Sequence, residues 1–341
     1  MKISNWVKKV FIIIGLVLLG LVLVVFCYFF VGKAKPVEKI DFGITFSKIY
    51  VEELNLDWKE AYLAILDDLN VKKLRLIAYW PEIEPTQGNL DWDDLDWQID
   101  EARKRGIEII LAVGQRLPRW PECHIPEWAQ DLPKEEKQEK LLVAIFEVIN
   151  RYKDREAIKF WQVENEPFLG TFGKCPKLDK KFLDSEISLV RELDPSRKII
   201  LTESGEFSTW IGAARRADIL GTTLYRTIWA KHLRIYICYP IPAIFYQRKT
   251  ALIKKFFDIE KIIVIELQAE PWGPKPTAEL SLKEQFKSMN IEKFRKIIDY
   301  TERAGFSEAY LWGAEWWYWL KEVYKDDSMW NEVKNLIIHN S

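Results

Sequence analysis

Histidine and methionine are scarce, three of each in 341 residues, and the four cysteines never fall in a Cys-x-x-Cys spacing. The first shortage excludes a histidine-built metal cluster. The second excludes a zinc ribbon, which needs paired ligands at short spacing. Concentrated positive charge is missing too. Five of the 50 basic residues and none of the 51 acidic ones lie in the first 35 positions, so the remainder carries a net charge of −6. A mildly acidic body lacks the clustered Lys and Arg that neutralise phosphates, and nucleic acid is excluded as the expected partner. No low-complexity run breaks residues 36–341, and a hydrophobic content of 48% excludes a disordered chain. What abounds is tryptophan, with 16 copies, more than core packing alone calls for.

One long hydrophobic run stands out. Residues 10–31 carry no charge. As a helix rising about 1.5 Å per residue they would be roughly 33 Å long, enough to cross the hydrocarbon core of a bilayer. Lys2, Lys8 and Lys9 precede the run, and this basic bias places the N-terminus inside and the body outside. The expected organisation is a cytoplasmic tail at 1–9, a transmembrane anchor at 10–31, a linker at 32–38 and one catalytic domain at 39–341. A cleaved signal peptide is the alternative. It is supported by the small residues around Gly32-Lys33-Ala34 and opposed by the length of the apolar run. The short linker starts the first strand close to the membrane, so the N-terminal face of the domain is expected to lie toward the bilayer.

Beyond the linker, short apolar runs alternate with amphipathic stretches. The runs occupy 42–46, 73–77, 108–113, 158–163, 198–202, 219–224, 261–265 and 309–312. Continuous apolar runs of this length suit parallel strands, which are buried on both faces. Helices are predicted near 57–69, 93–105, 134–152, 179–193, 242–257, 283–304 and 327–338, with a short one at 208–217. Asp57-Trp58-Lys59-Glu60 opens the first with a capping-box pattern, and Gly106 ends the second. Eight such units predict an α/β fold of the (β/α)8 TIM-barrel class preceded by one N-terminal transmembrane helix. No Gly-rich phosphate loop follows the first strand, which argues against a dinucleotide fold.

In a (β/α)8 barrel the active site lies at the C-terminal ends of the strands. There the sequence places Arg75 on the second strand and Trp80 after it, Gln115-Arg116 after the third, and Glu164-Asn165-Glu166-Pro167 after the fourth. Tyr225 follows the sixth, Glu266 ends the seventh, and Trp312 with Glu315 and Trp316 follows the eighth. Two glutamates at one mouth suit glycoside hydrolysis, which needs a proton donor and a carboxylate to meet oxocarbenium charge. Tryptophan faces suit the C–H faces of pyranose rings. Trp80, Trp120, Trp128, Trp229 and Trp272 lie in loops on that side and are candidates for lining the cleft.

Trp161-Gln162-Val163-Glu164-Asn165-Glu166-Pro167 and Ile263-Val264-Ile265-Glu266 resemble the fourth and seventh strands of the retaining glycoside hydrolases with (β/α)8 barrels, the family 5 cellulases and mannanases and their relatives. The segment Glu84–Trp92 is similar to the turn after strand two in related β-galactosidase and xylanase families. The resemblance covers about 40–320. It implies Glu166 as general acid/base, Glu266 as nucleophile, and Asn165 as a ligand of the sugar 2-hydroxyl. Arg75 and Tyr225 would hold Glu266, and Trp312 would floor the sugar; Trp80, Glu315 and Trp316 complete the expected substrate-binding set. Glu270 is a rival nucleophile. The activity expected is that of a retaining β-glycoside hydrolase on an extracytoplasmic saccharide, membrane-bound through 10–31, monomeric in its catalytic domain, with no cofactor and no metal. Rival readings are a catalytically silent carbohydrate receptor and a surface transglycosylase. Cys123 and Cys175, in loops after neighbouring strands, are expected to form a disulfide in an oxidising compartment, leaving Cys238 reduced.

Overall fold

The computed structural model describes residues 5–340. Eight parallel strands close a barrel in the order β1-β2-β3-β4-β5-β6-β9-β10, and a separate hairpin is formed by β7 and β8. The barrel strands are β1 (Asp41–Thr45), β2 (Lys73–Ile77), β3 (Glu108–Val113), β4 (Ile158–Val163), β5 (Lys198–Glu203), β6 (Ile219–Leu224), β9 (Lys261–Gln268) and β10 (Glu308–Trp312). Closure is made by β10 against β1, with Asp41 opposite Glu308 and Thr45 opposite Trp312. β7 (Thr227–Ala230) and β8 (Ile235–Cys238) pair antiparallel between β6 and the helix Ala243–Phe256.

Alternation along each strand sorts two cores. Ile109, Leu111 and Val113 of β3 face outward into the large cluster shared with the helices, whereas Ile110 joins Ile200, Ile219, Ile263, Ile265 and Tyr310 in a smaller cluster. This second set fills the barrel, which is therefore a packed core and no pore. Gly43 of β1 makes room for it: a Cβ there would stand 2.5 Å from the Tyr310 ring.

Helix ends follow their residues. The Asp57 carboxylate accepts from the backbone N–H of Lys59 and Glu60 at 2.8 and 3.0 Å and starts the helix Trp58–Asp67. The predicted helix over 283–304 is two elements, Leu282–Gln285 and Ile291–Ala304, because the Asn290 side chain accepts from Lys293 N and starts the second one anew. The predicted stretch 208–217 shrinks to Ile211–Ala214, and a helix not predicted, Ala314–Tyr324, follows β10.

At the N-terminus the helix Asn5–Phe30 contains a 22-residue span, Lys9–Phe30, with mean hydropathy 3.4, and most of it is exposed. It is long and apolar enough to cross a membrane, a property a signal sequence shares. Its last turn touches the barrel wall. Phe29 and Phe30 each pack 5.5 Å from Phe245, and Arg248 donates to the Cys27 carbonyl at 3.1 Å. The stretch after it is tied down as well, with Lys35 and Gln247 exchanging two hydrogen bonds and Val37 N donating to Glu302 O. Phe245, Gln247 and Arg248 all lie in the first turns of the helix Ala243–Phe256, which follows the hairpin.

Candidate active site

Arg75 points into the barrel from β2 and has no exposed surface. A buried guanidinium is tolerated only when its donors are satisfied. Its Nε donates to Gln162 Oε1 at 2.8 Å, Nη2 to Asn165 Oδ1 at 2.8 Å, and Nη1 to Glu266 Oε1 at 3.0 Å. One guanidinium thus fixes the amides of Gln162 and Asn165, at the end of β4, and the Glu266 carboxylate of β9 together. The other oxygen of Glu266 accepts from Tyr225 Oη at 3.2 Å. Both oxygens are held, so the carboxylate is fixed in direction.

Asn165 and Glu166 follow β4 in an unusual backbone. Glu164 has φ +58° and Glu166 has φ +45°, the left-handed region that non-glycine residues enter at a cost. Thr202 of β5 holds the turn: its Oγ1 accepts from Glu166 N at 2.7 Å and donates to Asn165 Oδ1 at 3.1 Å. Glu164 anchors it from behind, accepting from the backbone N–H of Gln115 and Arg116 at 2.9 and 2.7 Å. Gly114, at φ +128°, is required there, since a Cβ would come within 2.4 Å of Glu164 Oε1. Glu166 itself is buried, and its Oε1 has no hydrogen-bond partner. Burial first, then the charges of Glu266 and Glu122, push its carboxyl well above the usual range.

Glu122 was not singled out from the sequence. It is buried on the loop after β3, with φ +74°, and accepts from Asn165 Nδ2 at 3.4 Å. Burial and then the neighbouring Glu266 charge push its carboxyl up to about 8. The available signal was the run Pro118-Arg119-Trp120-Pro121-Glu122-Cys123, a charged loop stiffened by two prolines and ending in a cysteine. That cysteine is bonded to Cys175, 52 positions further along the chain, with Cα atoms 5.2 Å apart, joining the loops after β3 and β4. Cys27 and Cys238 are free and exposed.

Four residues proposed from the sequence for catalysis or sugar contact are placed in the wall of the mouth. Arg119 explains two of them. Its guanidinium stacks between Tyr50 and Trp312, 3.8 and 4.1 Å from the ring centres, and donates to Glu270 at 2.5 Å and Glu315 at 2.8 Å. Glu270 also accepts from the Trp312 indole at 2.7 Å through the same oxygen, Oε1, while its Oε2 is buried without a hydrogen-bond partner. Glu315 has no exposed surface and also accepts from Ser47 N at 2.6 Å; the expectation that it binds sugar is corrected to a structural ion pair. Trp316 is fully buried with its indole on Gln285, and Trp80 is buried against Trp128 with its indole on Glu84. Both are corrected to packing residues, because their polar edges are satisfied inside the wall.

The aromatic rim is built by other residues. Tyr225, Trp272, Phe172 and Trp120 form a chain of ring contacts at 5.2, 5.5 and 6.2 Å, starting beside Glu266 and ending at an exposed Trp120. Phe172 escaped sequence reasoning, which looked only for tryptophan. Trp312, with 7% of its surface exposed, lies against Arg119. Among the described residues no group of three or more His, Cys, Asp or Glu is placed to hold a metal ion.

The family model of glycoside hydrolase family 42, described as β-galactosidase, matches residues 54–244, more than half of the chain. A curated relative, β-galactosidase BgaA of Clostridium cellulovorans, is 26% identical over 182 residues, which are 47% of this chain and 27% of that one. Endo-1,4-β-xylanase 3 of Hypocrea jecorina is 25% identical over 132 residues, 36% of this chain and 35% of its own. The chain thus aligns with about a third or less of the length of these relatives. Among solved structures, the β-galactosidase of the haloarchaeon Halorubrum lacusprofundi superposes with a TM-score of 0.55 at 14% identity, over 80% of this chain and 52% of that one. A psychrophilic family 10 endo-β-1,4-xylanase gives 0.52 at 16% identity, over 87% and 97% of the two chains. These likenesses establish the shared barrel.

Proposed function

Because the chain belongs to glycoside hydrolase family 42, we propose that it hydrolyses β-glycosidic bonds with retention of configuration, Glu266 acting as nucleophile and Glu166 as acid/base. The observation that carries this reading is the unequal treatment of two buried carboxyls. Glu266 is gripped through both oxygens by Arg75 and Tyr225. Glu166 is left with a free oxygen in a setting that favours its protonated form.

The chemistry follows from that asymmetry. A Glu266 oxygen attacks the anomeric carbon, forming a C–O ester bond, while the glycosidic C–O bond breaks and the Glu166 proton passes to the leaving oxygen. Forming the ester removes the charge of Glu266, which lowers the proton affinity of Glu166 at the moment it must become a base. Glu166 then takes a proton from water, the water oxygen bonds to the anomeric carbon, and Glu266 leaves as a carboxylate. Asn165, held by Arg75 and Thr202, meets the sugar 2-hydroxyl in this reading. Trp312 supplies the floor and the Tyr225–Trp272–Phe172 rim supplies apolar faces for further rings. The apolar helix Asn5–Phe30, if uncleaved, holds this domain on the outer face of a membrane, where a saccharide reaches it; protease added to intact cells should digest the barrel, and protection until lysis would invert the topology.

Aryl β-galactosides are the first substrates to try, given the family, followed by β-xylosides and β-mannosides. Glu266→Ala should lose essentially all turnover and regain part of it with azide, giving a product of inverted configuration. Glu166→Ala should lose activity mainly on substrates with poor leaving groups. A Glu270→Ala variant that is dead and azide-rescued, beside an active Glu266→Ala, would overturn the assignment.

A further inference from the structure

Behind the strand-four turn lies an open cavity of about 820 Å³ between the helices Lys134–Tyr152 and Lys180–Leu193, walled on one side by Cys123 and Cys175. Its size is that of a small-molecule site, which typically runs to about 300–1,000 Å³. Neither Glu266 nor Glu166 lines it, so it is separate from the reaction centre. It adjoins that centre through Glu164, Pro167 and Arg116, which are part of its lining.

Charge at its mouth is placed against local electrostatics. A helix N-terminus carries partial positive charge, and a cation in the first turn is disfavoured. Yet the helix Lys180–Leu193, capped by Asp179, begins with Lys180-Lys181 and has no acidic residue in its first turn, whereas the helix Lys134–Tyr152 follows Lys134 with Glu135 and Glu136. Asp179 neutralises Lys134 at 2.5 Å. Lys177, Lys180 and Lys181 also line the cavity and make no ion pair among the described residues. Three cations without ion-pair partners therefore converge on one opening.

The floor supplies an independent observation. Arg116 and Glu186 are buried, with 6% and 2% exposure, and both line the cavity. Arg116 Nε has no hydrogen-bond partner, while the buried Glu186 carboxyl pairs with Glu164. A buried polar atom without a partner is uncommon and calls for an occupant. Lysines at the mouth ask for an anion, and a guanidinium N–H at the floor asks for an acceptor. A sugar ring bearing an acidic group answers both.

We propose that this cavity binds an acidic saccharide unit, a carboxylate- or phosphate-bearing sugar, and forms a subsite beside the reaction centre at Glu166. The link to Glu166 rests on the glycosidase reading above; the binding chemistry does not. Polymer bound across both places would lay its charged unit on the lysines and its scissile bond between Glu166 and Glu266, so acidic glycans become the substrate class.

The test uses the full-length chain in detergent and measures binding of oligogalacturonate, a phosphorylated oligosaccharide and a neutral oligosaccharide of equal length by calorimetry. The acidic ligands should bind at least about tenfold tighter than the neutral one, and which of the two wins identifies the acidic group. That preference should vanish in about 1 M salt, where the Debye length is about 3 Å. It should also vanish in the double variant Lys180→Glu/Lys181→Glu, whose exposed side chains can change without disturbing the core. Equal affinity for acidic and neutral ligands, or a double variant as tight as the parent, overturns the inference. Cleavage of neutral aryl glycosides without any acidic preference removes the cavity proposal and leaves the enzyme reading standing. Acidic preference without turnover of any glycoside does the reverse.

Discussion

Arg75 shows what single residues contribute. It reaches three side chains on two strands, and that set of Gln162, Asn165 and Glu266 was partly legible because strand ends of a barrel converge on one mouth. The roles of Trp80, Trp316 and Glu315 were not legible. Position after a strand end places a residue near the mouth, but only packing decides whether its side chain turns into the opening or into the wall. Glu122 was illegible for a different reason: its importance comes from being buried beside other carboxyls, which no spacing in the sequence reports. A pH dependence follows from it. Its carboxyl rises from 4.5 to about 8 on folding, so between these values the folded chain keeps a proton that the unfolded chain has lost. Stability therefore falls as pH rises through that window. Glu122→Gln should weaken this decline, giving a higher Tm than the parent at pH about 8 and no such gain near pH 4.5. Parallel Tm-against-pH curves for the two proteins would refute the assignment of a buried, protonated Glu122.

At the scale of elements, the eight strands and most long helices were readable, because apolar runs and capping residues are local signals. The hairpin Thr227–Cys238 and the helix Ala314–Tyr324 were not. The first reads as loop because its strands are short and half-buried. The second is hidden because residues 314–320 are buried throughout and lack the polar face that marks a helix. The loops after β3 and β4 depend on a covalent tie rather than on periodic structure. The Cys123–Cys175 bond spans 52 residues, a loop for which chain entropy gives an upper stabilisation of about 4 kcal/mol. The double variant Cys123→Ser/Cys175→Ser should lose about 2–4 kcal/mol in urea unfolding and raise KM, since the tie also carries the backbone between Arg116 and Glu122. An unchanged KM would separate the bond from the site.

Across the whole molecule, the barrel is closed by β10 on β1, but its mouth is closed by charge. Arg119 from the third unit grips Glu270 from the loop after β9 and Glu315 after β10, and stacks on Tyr50 from the first unit. Removing one partner of a buried ion pair leaves an uncompensated charge, at a cost of about 3–5 kcal/mol. Arg119→Ala should show a loss of that size in denaturant unfolding and a fall in activity through Trp312. A loss under about 1 kcal/mol, the level of a surface pair, would show that the network carries little. The Arg75–Glu266 pair likewise joins residues 191 positions apart. Such wiring imposes a timetable. A chain emerging from the ribosome carries Arg75 and Arg119 long before Glu266, Glu270 and Glu315 exist, and until the last unit arrives its mouth has cations without counter-ions. The mouth is therefore complete only when the last unit has been made.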